Sequence, residues 1–357
     1  TGEEILDQMQ EVLDTWDGGI RATGGALVPR KSYWYLIDFK CGTTGRWSYR
    51  KQSEVPGNLT LPSLTAEGER VVIERLEVSE ACKALGMKSQ HDGRETSNVQ
   101  FFRSKATEWA DHIRTNKLRP SDAWKALNST IMHSLEYPLM ATCMTEQQCK
   151  TVMAPALMAA LPVARIQRRF PRKLLYGPLS AQGLGLHFLH TTQTLEHCSA
   201  CLRHGGQDSL TGRLIEGSIE TLIVEMGSSL PFWELDFKTW SPVMTDSWVK
   251  STWRDAQHMG LTIEDTIERP RTKREEDIML MDAFVARGFR KKGLFALNWC
   301  RMYLQAMSLS DITNAAGSHL HPNSWICELR DDWSSQYEWP RNSRPSVEAK
   351  AIWQEAL

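Results

Sequence analysis

The chain has 357 residues, 41% hydrophobic and 24% charged, the balance of an ordinary soluble globular protein with mass for two or three packed units. Forty-two basic against forty-three acidic side chains give a formal net charge of −1, which excludes a global field that would draw a polyanion and makes any such surface local. Eight cysteines are too sparse for a disulfide scaffold, so a reducing, intracellular setting (cytoplasm or nucleus) is expected, while fourteen tryptophans point to large helix-packing side chains. The chain opens at Thr1 within an acidic amphipathic stretch, which reads as a fragment beginning inside a domain, with no secretory pattern. The longest apolar run, Met153 to Ala164, contains Pro155 and Pro162 and is too short to span a bilayer, so no membrane partner is expected.

In chain order, Ile5, Met9, Val12, Leu13 and Trp16 recur at helical spacing and predict a helix over residues 3–16, stopped by Gly18-Gly19, with Gly24-Gly25 as a second break. Lys31 to Lys40 is aromatic and β-branched and reads as a strand; the turn at Cys41–Gly45 brings Arg46–Arg50 back as its hairpin partner. Residues 52–68, with Pro56, Gly57, Pro62 and Gly68, read as a loop. Val71 to Val78 is β-prone, Lys83 to Met87 gives another short strand, and His91-Asp92-Gly93 marks a turn.

From residue 97 the period becomes helical. Val99, Phe102, Ala106, Trp109 and Ile113 form one stripe; Ala123, Trp124, Leu127, Ile131 and Leu135 form the next, opened by Pro120 with Ser121 as the expected cap and stopped at Tyr137-Pro138. Thr145 to Gln148 has capping-box spacing for a helix to about Ala160, kinked at Pro155. Further helices are expected at 191–204, 208–226, 244–259, 273–287 and 293–307, with a loop around Pro270. The last 35 or so residues have no assigned structure.

The sharpest local feature is charge segregation. No acidic residue lies between Glu146 and Glu196, while Lys150, Arg165, Arg168, Arg169, Arg172 and Lys173 supply six positive charges. Arginine forks match phosphate geometry, and a stretch free of carboxylates does not repel a polyanion. A solvated basic loop without a partner explains the same residues equally well. His197, Cys198, Cys201 and His204 hold zinc-type spacing, but the segment reads as one helix in which residues seven apart do not readily converge with both thiols, so buried cysteines are the default. His319, His321, His187 and His190 lack metal-spaced partners. Gln182-Gly183-Leu184-Gly185 lacks the Gly-Lys-Ser/Thr ending of a phosphate loop and reads as a turn.

Together these pieces resemble the region that follows the metal-binding motif in reverse transcriptases of non-LTR-type retroelements. The matching positions are the helix at 3–16, Gly24-Gly25, Lys31 with Tyr33-Trp34, Lys83-Ala84-Leu85-Gly86 and Leu135-Glu136-Tyr137-Pro138. The order continues through Leu161-Pro162, Phe170-Pro171-Arg172, Tyr176-Gly177-Pro178, Gly183-Leu184-Gly185 and His204-Gly205-Gly206-Gln207-Asp208. The resemblance implies an α+β, predominantly α chain: the C-terminal edge of a polymerase palm sheet with primer-grip-like hairpins (1–90), a helical thumb (91–160), a helical post-polymerase extension (161–310) and a polar tail (311–357). It implies that Lys31 assists at the nucleotide, and that Arg165, Arg168, Arg169, Arg172 and Lys173 hold the backbone of RNA or an RNA–DNA duplex. An upstream polymerase segment would be a further partner. The family's aromatic-x-Asp-Asp motif is absent; Arg330-Asp331-Asp332 lies in the polar tail without strand context. The expectation is therefore nucleic-acid binding without catalysis, no metal site or cofactor in this chain, and magnesium only in a complete polymerase. A catalytically inert helical interaction module, or a relic with no role, is the alternative.

Overall fold

A computed structural model of the chain describes residues 2–41, 47–66, 68–84, 86–264, 272, 274–329, 339 and 343–357. They divide into two units, Thr1–Ser97 and Asn98–Leu357. Helix accounts for 56% of the described residues and the sheets are small, which makes the class α+β and mainly α.

In the first unit, helix α1 spans Gly2–Ala22 and does not stop at Gly18-Gly19. Each glycine costs about 1 kcal/mol in a helix, but Asp17 lies just ahead of them, buried, accepting from Arg21 Nε at 2.6 Å and from the Leu27 amide at 3.4 Å. That pair carries the helix through to Gly24, whose left-handed φ of +83° lets the Gly24 amide reach Arg21 O and the Gly25 amide reach Ile20 O. Leu6, Met9 and Leu13 of α1 pack on a small core of Trp34, Leu36, Leu59, Leu61 and Ile73.

Short strands surround that core: β1 (Tyr33–Tyr35), β2 (Phe39–Cys41), β3 (Trp47–Tyr49), β4 (Thr60–Pro62), β5 (Arg70–Val72), β6 (Glu74–Leu76), β7 (Cys82–Ala84) and β8 (Met87–Ser89). The expected hairpin exists as β2 against β3, and β7 pairs with β8 beyond it; most of the first turn, and Leu85 of the second, lie outside the described residues. The expected long strand is split, because the Pro29–Lys31 3₁₀ turn precedes β1 and the chain leaves extended pairing between β1 and β2. β1 pairs parallel with β6, and β4 antiparallel with β5. Strand β4 lies inside the stretch expected to be a loop. Leu59 and Leu61 alternate into the core, and Gln10 of α1 acts as a surrogate neighbour, accepting from the Thr60 amide at 2.8 Å and donating to its carbonyl at 3.0 Å.

The second unit is helical. Helices α2 (Thr96–Thr115), α3 (Pro120–Lys125), a π segment (Ala126–Met132) and α4 (His133–Glu136) follow in order. Arg119, not Ser121, is the N-cap of α3, because Pro120 takes the first helical position, where its missing amide goes unneeded. Helix α5 (Glu146–Val163) begins with a complete capping box between Thr145 and Gln148. Then come α6 (Arg172–Tyr176), α7 (Leu189–His204), α8 (Leu210–Met226), α9 (Phe237–Trp240), α10 (Trp248–His258), α11 (Leu280–Ala286), α12 (Lys291–Leu304), α13 (Leu309–Ile312), α14 (Pro322–Trp325) and α15 (Val347–Ala356). Residues 330–338 and 340–342, which include Asp331 and Asp332, lie outside the described residues, as does Pro270.

The core of this unit gathers residues of α8, α10, α11, α12 and α15. Helix α15, from the stretch left without assignment, lies along α12 and drives Trp353 into the interior, where its indole N–H donates to Ser324 O at 2.8 Å. Arg301 of α12 is fully buried with no ion-paired carboxylate among the described residues; its guanidinium donates to the carbonyls of Val224 (2.6 Å) and Glu225 (2.9 Å) and to Asn298 Oδ1. It thereby satisfies the open carbonyl end of α8. Burial pushes its pKa down to about 9, so it remains charged at neutral pH. Gly227 must be glycine twice over: its φ is +62°, and a Cβ there would stand 2.7 Å from that guanidinium.

Candidate nucleic-acid interface

The basic segment leaves α5 through a left-handed residue. Arg165, at φ +60°, occupies the position after the helix where glycine is usual; its amide reaches Pro162 O at 3.0 Å and the Ile166 amide reaches Leu161 O at 2.8 Å. Arg168, Arg169, Arg172 and Lys173 follow, and all five side chains are exposed. Among the described residues none of them is within ion-pair distance of a carboxylate (Arg172 donates to Arg168 O at 3.2 Å). Glu146, the acid before the segment, pairs with Lys150 at the opposite end of α5, a helix length of about 27 Å away. Glu136 reaches the segment's exit, and there it accepts from His187 Nδ1 at 2.7 Å and contacts His133 Nδ1 at 3.2 Å.

Two glycines meet just after the basic residues. After α6 the chain turns back, so that the Leu184 amide meets Leu174 O, the Gly185 amide meets Gly177 O and the Leu186 amide meets Leu175 O, at 2.8–3.1 Å. A Cβ built on Gly183 would lie 2.1 Å from Gly177 O, and one on Gly177 would lie 2.8 Å from Lys173 O. The glycine-rich stretch is thus a backbone crossing, in keeping with a turn. Tyr176 and Phe188 close the ends of the loop with rings stacked 5.0 Å apart, and burial raises the Tyr176 pKa.

Behind the loop exit lies a polar network that no sequence pattern announced. His190 of α7 stands 3.4 Å from Asp255 of α10, which Arg254 grips through Nε at 2.7 Å and Nη2 at 3.0 Å. Burial opposes ionisation of Asp255, but hydrogen bonds from His190 and Arg254 outweigh it and hold the carboxyl below its ordinary value. One turn on, Gln193 bonds the Met144 amide and carbonyl and the Thr142 hydroxyl, and His197 sits between Leu139 O and Thr252 Oγ1, each at 3.2 Å. Burial drives the His197 pKa down to about 4. These groups are committed to protein partners and tie α7 to α10 and to residues 139–144.

The same commitments answer the zinc question. His197 faces Leu139 and Thr252, Cys198 and Cys201 are buried, and burial raises both thiols, Cys201 to about 12, which opposes the thiolate that zinc needs. Among the described residues no three His, Cys, Asp or Glu are arranged to hold an ion. Lys31 belongs to the other unit, where it closes the Pro29–Lys31 turn two residues before β1; it is exposed, and its amide bonds Val28 O at 2.9 Å. No helix among the described residues is long and apolar enough to cross a membrane.

Comparison with known proteins adds nothing to this geometry: no protein-family model, curated protein or solved structure matches the chain.

Proposed function

We propose that the chain is a piece of a retroelement RNA-directed DNA polymerase that grips the backbone of a template–primer or other nucleic acid and does not itself catalyse synthesis. The observation that carries this reading is the row Arg165, Arg168, Arg169, Arg172 and Lys173, exposed and without carboxylate partners among the described residues, on the α5–α6 connection and the first turn of α6, ahead of the Gly177–Gly183 crossing. Guanidinium and ammonium groups in a solvent-facing row, free of carboxylate partners among the described residues, are what phosphate contacts use. In this reading the 1–90 segment is the end of the palm with Lys31 near the nucleotide, 91–160 is the thumb, and an upstream polymerase segment supplies the metal-binding carboxylates. Fluorescence anisotropy with an RNA–DNA duplex tests it. If all five cations engage phosphates, a fourfold rise in salt lowers affinity by up to about 500-fold. Neutralising the five removes most of that salt dependence; unchanged binding overturns the assignment.

A helical protein-interaction module is the second reading. It is favoured by exposed leucines at helical spacing, Leu195 and Leu202 on α7 and Leu210 and Leu214 on α8. A folded chain that binds no nucleic acid at low salt would support it.

A further inference from the structure

A second basic surface lies at the junction of α11 and α12, on residues the reading above does not use. Arg287, Arg290, Lys291 and Lys292 fall within six positions, all exposed, and none has a carboxylate within ion-pair distance among the described residues. Asp282, the acid of α11, is occupied by Ser228 and Ser229. The two arginines are held by neutral acceptors: Arg290 donates to Val285 O and Phe289 O at 2.7 Å, and Arg287 donates to Ala356 O. Their positions are therefore set while their charge stays available. Lys291 and Lys292 stand in the first turn of α12, which has no acidic residue and no side-chain cap. Cations at that end oppose the helix dipole, so folding alone disfavours the arrangement.

Beside these charges stands Phe295, one turn on from Lys291 and Lys292 and on the same side of α12. It is 52% exposed, although its neighbours Leu294 and Leu297 are fully buried in the core. An aromatic ring open to solvent, next to four unneutralised cations, offers a stacking surface and phosphate contacts together, the pairing that takes single-stranded nucleic acid. A duplex presents its phosphates but keeps its bases stacked inside. We propose that Arg287, Arg290, Lys291, Lys292 and Phe295 form a second contact, for single-stranded nucleic acid, with phosphates on the cations and a base on the Phe295 ring. This deepens the nucleic-acid reading and rests on it for the ligand class, but it stands on different residues.

The test uses the full chain and two fluorescein-labelled probes, an oligouridine of about 12 nucleotides and an RNA–DNA duplex of equal length. F295A should weaken the oligouridine roughly 5- to 150-fold, the range for losing one stacked base, and leave the duplex unchanged. Lys291→Gln with Lys292→Gln should lower the slope of log affinity against log salt for the oligouridine by about 1.4. Oligouridine affinity unchanged in F295A overturns the proposal, as does an equal loss on both probes. So does an oligoglutamate peptide that binds as tightly as oligouridine with the same dependence on Phe295, which would make the patch a protein-docking surface. The two readings fail separately: neutralising Arg165, Arg168, Arg169, Arg172 and Lys173 reports on the first site through the duplex, and F295A reports on the second. A chain that binds neither probe sinks both.

Discussion

The two units of this chain are stabilised in different ways. Among the described residues, the first unit gathers one cluster of five buried side chains (Trp34, Leu36, Leu59, Leu61 and Ile73) under one helix, and its strands are only three residues long. Side chains bonded to backbone supply much of its order, as Gln10 does for Thr60 and Asp17 for Leu27. The second unit buries whole tryptophans and a whole arginine beneath several helices. A thin core leaves little reserve against the conformational entropy of the chain, whereas a deep core can hold polar groups that are expensive to disturb. The same kind of lesion should therefore have different reach in the two units.

Arg301→Ala gives the largest expected effect. It strips the carbonyls of Val224 and Glu225 of their buried donor, leaves a cavity, and should cost about 3–5 kcal/mol. Hydrogen exchange read residue by residue should show the loss in α8 and α12, with the amides of α1 unchanged; equal loss in α1 would break the contrast between the units. Acid comes next. His197 has its pKa lowered to about 4 from an ordinary 6.5, so between these values the unfolded chain binds more protons than the folded one. Stability is complete above about pH 6.5, falls as pH drops and levels off below about pH 4, a loss of about 3 kcal/mol. His190, Asp255 and Arg254 face the same junction, so His197→Gln is the control: urea melts of that variant should lose most of the slope over this range. A wild-type stability flat from pH 7 to 4 would sink the assignment.

The smallest effect compares two helix ends of the same design. Helix α1 ends on Gly24 at φ +83°, and α5 ends on Arg165 at φ +60°. The Cβ of an alanine at 24 would meet nothing within 4 Å, so Gly24→Ala measures the backbone preference alone, a loss of about 1 kcal/mol. Arg165→Gly should gain about as much stability while weakening duplex binding. Gain without loss of binding would mean that Arg165 does not contact phosphate.

Much of the helical scaffold was legible because its signals are local. Thr145 and Gln148 announce a capping box, and Ala123, Leu127, Ile131 and Leu135 fall on one buried stripe. Where sequence reading missed, a partner side chain or helix overrode the preference of the backbone. Gly18-Gly19 does not end α1 because Asp17 pairs with Arg21, β4 forms because Gln10 is fifty residues away in sequence yet beside it in space, and α15 is a helix that α12 needs to cover its core. The basic segment was legible as composition, but the crossing that follows it was not, since the amide bonds of Leu184, Gly185 and Leu186 reach back to Leu174, Gly177 and Leu175. Arg301 gave no signal at all, because an isolated cation in a helix looks the same whether it faces water or the carbonyl end of another helix, and His197 stood out only for its spacing to Cys198 and Cys201, not for its partners Leu139 and Thr252.

The crossing at Gly177 and Gly183 also gives a way to tell a maintained gene from a decaying one. Gly217, in the middle of α8, has open space around it and an ordinary backbone, so substitution there meets no steric obstacle. At 183 the nearest backbone atom would be 2.1 Å from the first added carbon. In copies drifting without selection, all three codons would accumulate alanine, serine and valine at the same pace. In copies whose product must still fold, codon 217 would wander while 177 and 183 stayed fixed, and the ratio between them would date the loss of function.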